Sequence, residues 1–215
     1  MTSIIAEDVL LLGYDEKTGQ PTIGSTELNA GLAGALLAEL SIKGRLSLAD
    51  KKVVVTDATP VGDEELDAAL ARIAAEAKVR KPEWWIDKLQ GAKLRERLLV
   101  RLVEGGVLSE ERGKILGLFK TVKYPELDGS VERAVRMRVE SVLNGAEPDE
   151  RTAVLIGIMH ATKALKKQFP GSDEARVKEI TEGDWAGEGV RDAIKAVEAA
   201  VLMVIATVVI VTAVS

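Results

Sequence analysis

A chain of 215 residues, 47% hydrophobic and 29% charged, has the length and balance to bury one sizeable core, which excludes extended disorder and collagen-like or purely coiled-coil architectures. With no cysteine and a single histidine, His160, it offers no disulfide, no thiolate or His-pair metal site and no cysteine nucleophile. A net charge of -5 and only 3% aromatic residues argue against nucleic acid, which calls for a basic surface and, when single-stranded, for stacking rings.

The opening, MTSIIAEDVLLLGYD, carries Glu7 and Asp8 and lacks a basic leader, so no signal peptide is expected and the chain reads as cytosolic. Residues 15–20 read as a turn, with Gly19 available for a positive φ. Over 28–40, Leu28, Leu32, Leu36, Leu37 and Leu40 recur at spacings of three and four and predict one apolar helical face, capped by Ser25 or Thr26 and ended by Gly44. Residues 45–48 and 53–56 flank the turn ADKK and predict a β-hairpin. A helix starting at Gly62 and Asp63 buries Leu66, Leu70, Ile73 and Ala74. Its first-turn carboxylates Asp63, Glu64, Glu65 and Asp67 suit the helix dipole better than a cation.

A short helix over 83–89 carries Trp84 and Trp85, and only one of two adjacent rings can face inward. Over 93–104, Leu94, Leu98, Leu99, Leu102 and Val103 form the apolar face of a helix that Gly105 and Gly106 end. A helix is expected over 109–118, with Ser109 as cap and Glu110 and Glu111 behind it, then an extended stretch over 120–124 closed by Pro125. Helices return over 130–143, 149–169 and 173–181, and from 189 to the end. The last contains the uncharged run 199–214, shorter than the roughly 20 residues of a bilayer span. It reads as a buried helix, although its Val and Ile content leaves a buried strand open. No repeat or long linker divides the chain, so residues 1–215 read as one mainly α domain with small β-hairpins.

Little in this pattern carries covalent chemistry. There is no Gly-rich phosphate loop. His160 lies in the apolar helix VLIGIMHA with no nucleophile beside it and reads as a satisfied core histidine, while Trp185, next to Asp184, reads as a packing anchor. No catalytic residue, metal site or cofactor is expected. The basic residues that stand out are Arg133 and Arg136, which share a helical face at i and i+3 and can aim two guanidinium forks at one phosphate. Ion pairing is the competing role, since Glu132 and Glu140 lie four residues to either side of Arg136. The helix over 28–40 followed by a hairpin imitates a winged-helix DNA binder. It carries Glu39 and no Arg or Lys before Lys43, which leaves DNA phosphates without contacts.

Several segments together, in order and spacing, resemble the Golgi phosphoprotein 3 family: IAEDVLLLGYDEKTG at 5–19, GLAGALLAELSIKGRLSL at 31–48, GDEELDAAL at 62–70 and LRERLLVRLVEGGVL at 94–108. VERAVRMRVESVL at 131–143, RTAVLIGIMHA at 151–161 and EGDWAGEGVRDAIKAVEAAV at 182–201 extend the likeness over nearly the whole chain. The short loops and Ala-rich ending are similar to bacterial, actinobacterial-type members. The resemblance implies one mainly helical domain with an apolar C-terminal helix near its centre, without enzymatic activity or cofactor. It further implies a cytoplasmic protein, peripherally membrane-associated, that binds phosphatidylinositol 4-phosphate in a shallow basic pocket. Two basic residues of that pocket correspond to Arg133 and Arg136. Its Trp and Arg positions correspond to Gly24 and Ala33, where neither is retained. A family loop that touches the bilayer and other subunits corresponds to NGAEPDERT at 144–152, which here is acidic and poorly suited to insertion. The expected partners are an anionic phospholipid or membrane surface, with protein partners or self-association, and no nucleic acid. The alternative is a protein-interaction or scaffold module that has lost lipid recognition.

Overall fold

The computed structural model describes residues 3–115, 119–182 and 188–214. Along the chain run α1 (Ile5–Gly13), α2 (Ser25–Ile42), β1 (Leu46–Ala49), β2 (Lys52–Val55), α3 (Glu64–Ala74), α4 (Pro82–Leu89) and α5 (Ala92–Glu104). After them come β3 (Glu111–Ile115), β4 (Phe119–Lys123), α6 (Ser130–Leu143), α7 (Glu150–Ala161), α8 (Ala164–Gln168), α9 (Glu174–Glu182) and α10 (Glu188–Val214). The class is mainly α with two small antiparallel strand pairs, as the periodicities predict.

α2 is the centre of the packing. It is buried from Gly31 to Leu40 without interruption, and α1, α3, α4, α5, α7, α10 and β1 all lie against it. Its leucines supply the largest favourable contribution, at most about 1.5–3 kcal/mol for each side chain removed from water. Close approach depends on two glycines. Gly31 faces Ile158 and Thr162 at the end of α7, and Gly34 faces Val197 and Val201 of α10. α10 buries Ala193, Ile194, Val197, Ala200, Val201, Val204 and Ile205, while Leu202 and Met203 point outward. The alternative of a strand in this last segment is not taken. Among the described residues no helix is long and apolar enough to cross a membrane.

α1 is buried along its whole length although it contains two carboxylates. Glu7, in the first turn, accepts the Ile4 backbone N–H through one oxygen (3.0 Å) and Arg101 Nε through the other (2.7 Å). Asp8 accepts Ser3 Oγ at 2.7 Å and Arg138 Nη2 at 2.8 Å. Glu39 of α2 accepts the Ile5 N–H at 2.6 Å and pairs with Arg151. Three buried acids are thus matched by arginines from α5, α6 and α7, which ties α1 and α2 to those helices.

Two expected helices are corrected. The segment after Ser109 is the hairpin β3–β4, with Glu111 opposite Lys123 and Gly113 opposite Thr121. Ser109 gives its N–H (2.9 Å) and its hydroxyl (3.2 Å) to the Pro125 carbonyl and so closes the base of the hairpin instead of capping a helix. The helix expected over 149–169 is two helices. The Thr162 hydroxyl donates back to the Ile158 carbonyl at 2.8 Å and Lys163 takes a left-handed conformation at φ 61°, so α7 ends and α8 begins in a new direction. His160 is also not a core residue. Its side chain is 37% exposed, with Nδ1 2.9 Å from Glu198 Oε1 and Nε2 3.4 Å from Glu174 Oε2. Trp185 lies outside the described residues. Of the adjacent tryptophans, Trp85 is buried and Trp84 is half-buried, as expected for neighbouring rings.

Candidate functional site

α6 is built on Glu132, Val135, Val139 and Val142, which turn inward at spacings of three and four, and it presents Arg133, Met137 and Glu140 to solvent. Arg133 is exposed. Its Nη1 and Glu126 Oε2 both lie over Gly129, where a Cβ would stand 2.5 Å and 2.7 Å from them, so the absence of a side chain at 129 makes room for the guanidinium beside the start of α6.

Arg136 is held more tightly. Its Nε donates to Glu132 Oε1 at 2.8 Å and its Nη2 lies 2.5 Å from the same oxygen. Nη1 donates to the Gln168 carbonyl and Nη2 to Gln168 Oε1, both at 3.3 Å, and the guanidinium stands 5.3 Å over the Phe169 ring. Of the two acids that compete for Arg136 in the sequence, Glu132 is the one that engages it. Arg138, the next arginine along, turns inward to Asp8.

The structure brings the segment of Gly24 to this site. Gln168, which accepts from Arg136, donates through Nε2 to Thr22 Oγ1 at 3.1 Å, and Lys167 Nζ donates to the Thr22 carbonyl at 2.9 Å. Gly24, two residues on, is exposed at the N-cap of α2. Ala33 differs, being wholly buried within α2.

Acids crowd the two arginines. Glu16 Oε1 lies 3.8 Å from Arg136 Nη2, and Glu126, Asp128 and Glu132 stand on the Arg133 side. Burial raises the Glu126 carboxyl above the usual carboxylate range, and the charges of Glu132 and Glu16 push it the same way, with Arg133 opposing. Asp128 is held below that range because it accepts the Ser130 backbone N–H. Arg133 is thus exposed at the surface, while Arg136 is partly committed to the fold. Of the segment 144–152, residues 150–152 are the first turn of α7, and its start is held by Arg176, which donates to the carbonyls of Val142 (3.0 Å) and Ala146 (2.6 Å).

The sequence reading missed the arginine network under α1. Its signal was available in the two adjacent acids, Glu7 and Asp8, embedded in an otherwise apolar stretch, since buried carboxylates require cationic partners.

The fold is mainly helical around a buried central helix, with an arginine pair at i and i+3 on a surface helix. The Golgi phosphoprotein 3 (GPP34) family model matches residues 5–197, and the chain belongs to that family. It is 30% identical over 162 residues to vacuolar protein sorting-associated protein 74 of Schizosaccharomyces pombe, an alignment that covers 65% of this chain and 48% of that protein. The chain therefore spans about half the length of this curated relative.

Proposed function

We propose that this chain is a peripheral membrane protein of the cytoplasm that binds an anionic phospholipid headgroup of the phosphatidylinositol 4-phosphate type, without catalysis or cofactor. Family membership supports the class. The observation that carries the site is the placement of Arg133, exposed on α6 one turn from Arg136 and beside the exposed Met137, at the rim reached from Gly24 through Thr22 and Gln168. Arg133 donates to the phosphate, and Arg136 adds its field and those N–H groups that Glu132 and Gln168 leave free. Gly24 and Ala33 leave the ring of contacts incomplete, and the surrounding acids weaken it further, so binding is weak, poorly selective among phosphorylated headgroups and sensitive to salt.

A second reading rests on the same acids. Glu16, Glu126, Asp128 and Glu132 outnumber the two arginines, and a basic peptide segment of a partner protein would be favoured there in place of a lipid. Flotation with vesicles that carry neutral, singly charged and phosphorylated-inositol headgroups separates the readings. Binding that rises with headgroup charge and falls in Arg133→Ala supports the lipid. No binding to any vesicle, together with saturable binding of a Lys/Arg-rich peptide, assigns the site to a protein partner.

A further inference from the structure

Away from α6, a groove of about 540 Å³ opens between α4 and the second half of α10. Val79, Trp84, Met203 and Val204 form its apolar floor, and Lys52, Arg80 and Lys81 stand on its rim. Val79 and Met203 are 55% and 54% exposed, and Leu202 beside Met203 is 44% exposed. Large apolar side chains scattered singly over a surface need no explanation, but a group of them gathered at one opening marks a binding surface.

The rim gives the chemistry of the occupant. Arg80 stands 4.7 Å over the Trp84 ring and Lys88 stands 5.6 Å from it, so cations flank the half-buried indole. Glu83 and Asp87 also line the groove and pair loosely with Lys81 (3.7 Å) and Lys88 (3.5 Å). Lys52 makes no ion pair among the described residues. Cations thus exceed acids at this opening, on a chain whose net charge is -5. The groove beside α5 is different. Its lining acids Glu64, Glu65, Glu96 and Glu104 outnumber its cations Lys93, Arg97 and Arg101, whereas at the α4–α10 groove the cations are in excess even though Arg80 pairs with Glu76 (3.2 Å). An apolar floor, an aromatic ring and long cationic side chains at the edge together fit an amphiphile with an apolar chain and an anionic head. An isologous contact between two copies of this face would place two cation-bearing rims close together.

We propose that the groove between α4 and α10 seats an acyl chain of an anionic membrane phospholipid, with the phosphate held at Lys52, Arg80 and Lys81. The proposal rests on the reading of the chain as an anionic-phospholipid binder, but it uses no residue of α6. It supplies an apolar contact in addition to a charged one, the combination that stable attachment to a bilayer requires.

The test uses the full chain with vesicles of phosphatidylcholine alone and of phosphatidylcholine mixed with phosphatidylglycerol, some carrying brominated acyl chains. The wild type should float with the anionic vesicles, and its tryptophan fluorescence should be quenched by the brominated chains. That quenching should fall sharply in Trp84→Phe; in Arg133→Ala less protein should float, but the protein that does should be quenched to the same extent. Val79→Asp with Met203→Asp should weaken vesicle binding by about tenfold. Lys52→Glu with Lys81→Glu, two surface changes that leave the floor intact, should do so as well and guards against a folding defect in the first pair.

Floating without quenching, unaffected by either groove pair, overturns the groove and leaves the headgroup reading at Arg133 standing. Loss of binding in the groove pairs but not in Arg133→Ala removes the α6 site and keeps the groove. No binding to either vesicle overturns the groove and leaves the headgroup reading to the phosphorylated-inositol vesicles. Concentration-dependent self-association abolished by Met203→Asp, or quenching by an acidic amphipathic peptide alone, assigns the groove to protein and overturns the proposal.

Discussion

Arg136 and Glu132 form an ion pair across one turn of α6, with the Glu132 side chain 4% exposed and the Arg136 side chain 23% exposed. A carboxylate so enclosed cannot be rehydrated without moving the helix, and removing Arg136, its one ion-pair partner among the described residues, leaves the charge uncompensated. Arg136→Ala should therefore cost about 3 kcal/mol of stability, whereas Arg133→Ala, at an exposed position, should stay within about 0.5 kcal/mol. Urea unfolding of the two single variants measures the difference. Adding Glu132→Gln to Arg136→Ala should recover part of the loss. Equal stabilities for the two variants would mean that the pair contributes nothing and that both arginines are available for a ligand.

Asp8 gives a pH dependence with an unusual sign. Burial raises its carboxyl above the ordinary value of 3.8, and this outweighs the opposing effects of Ser3, Arg138 and Arg151. A group whose folded pKa is raised contributes stability that is complete below the unfolded value and is lost as pH rises through the folded value. Compared with Asp8→Asn, which cannot titrate, the wild type should have its largest relative stability at acid pH, and the advantage should shrink as pH climbs from about 4. Denaturation midpoints for both proteins across that range give the answer. An advantage that instead grows with pH would show that the Arg138 ion pair dominates over burial.

Local patterns were legible in the sequence where the deciding physics was local. Leu28 to Leu40 at helical spacing, the ADKK turn and the Gly105 stop all describe contacts within one element, and the corresponding helices and hairpin are present within a few residues. The failures lie where a distant partner decides. Ser109 followed by two glutamates imitates a helix start, yet the hydrogen bonds of Ser109 go to Pro125, sixteen residues on. Thr162 ends α7 through its own hydroxyl and the left-handed Lys163, a feature that residue type alone does not announce. At the candidate site the i, i+3 arrangement of Arg133 and Arg136 was readable, but the separation of their roles was not. It depends on Gln168 and Phe169 of a helix end that folds against α6 from outside the motif.

The hairpin turn carries a removable strain. Asp50 and Lys51 both have positive φ, 50° and 59°, the geometry of a two-residue turn that favours Asn-Gly. A non-glycine residue in this region costs roughly 1–2 kcal/mol, while glycine loses about 0.4–1 kcal/mol by loosening the unfolded chain. Lys51→Gly should thus raise stability by about 0.5–1 kcal/mol, visible as a higher urea midpoint. A lower midpoint would place the cost of the Lys51 conformation below the entropy of glycine.

Gly34 is a point of close approach between α2 and α10. A Cβ built there would lie 2.8 Å from Val201 Cγ2 and 3.0 Å from Val197 Cγ1, and both valines are buried. Two opposing effects apply to Gly34→Ala. Alanine gains about 1 kcal/mol of helix propensity, but overpacking a well-filled core typically costs about 1–3 kcal/mol. The second should win, because β-branched valines on a helix have essentially one χ1 rotamer and cannot swing aside. α10 must then back away from α2, which takes Val204 and Ile205 with it and loosens the floor of the groove that Val204 lines. Thermal unfolding should show Gly34→Ala below the wild type, and Gly34→Ala with Val201→Ala, which restores the missing space, should recover stability relative to Val201→Ala alone. A single variant at least as stable as the wild type would mean that α10 moves without cost, and the packing of the last helix would then be looser than the distances at Gly34 imply.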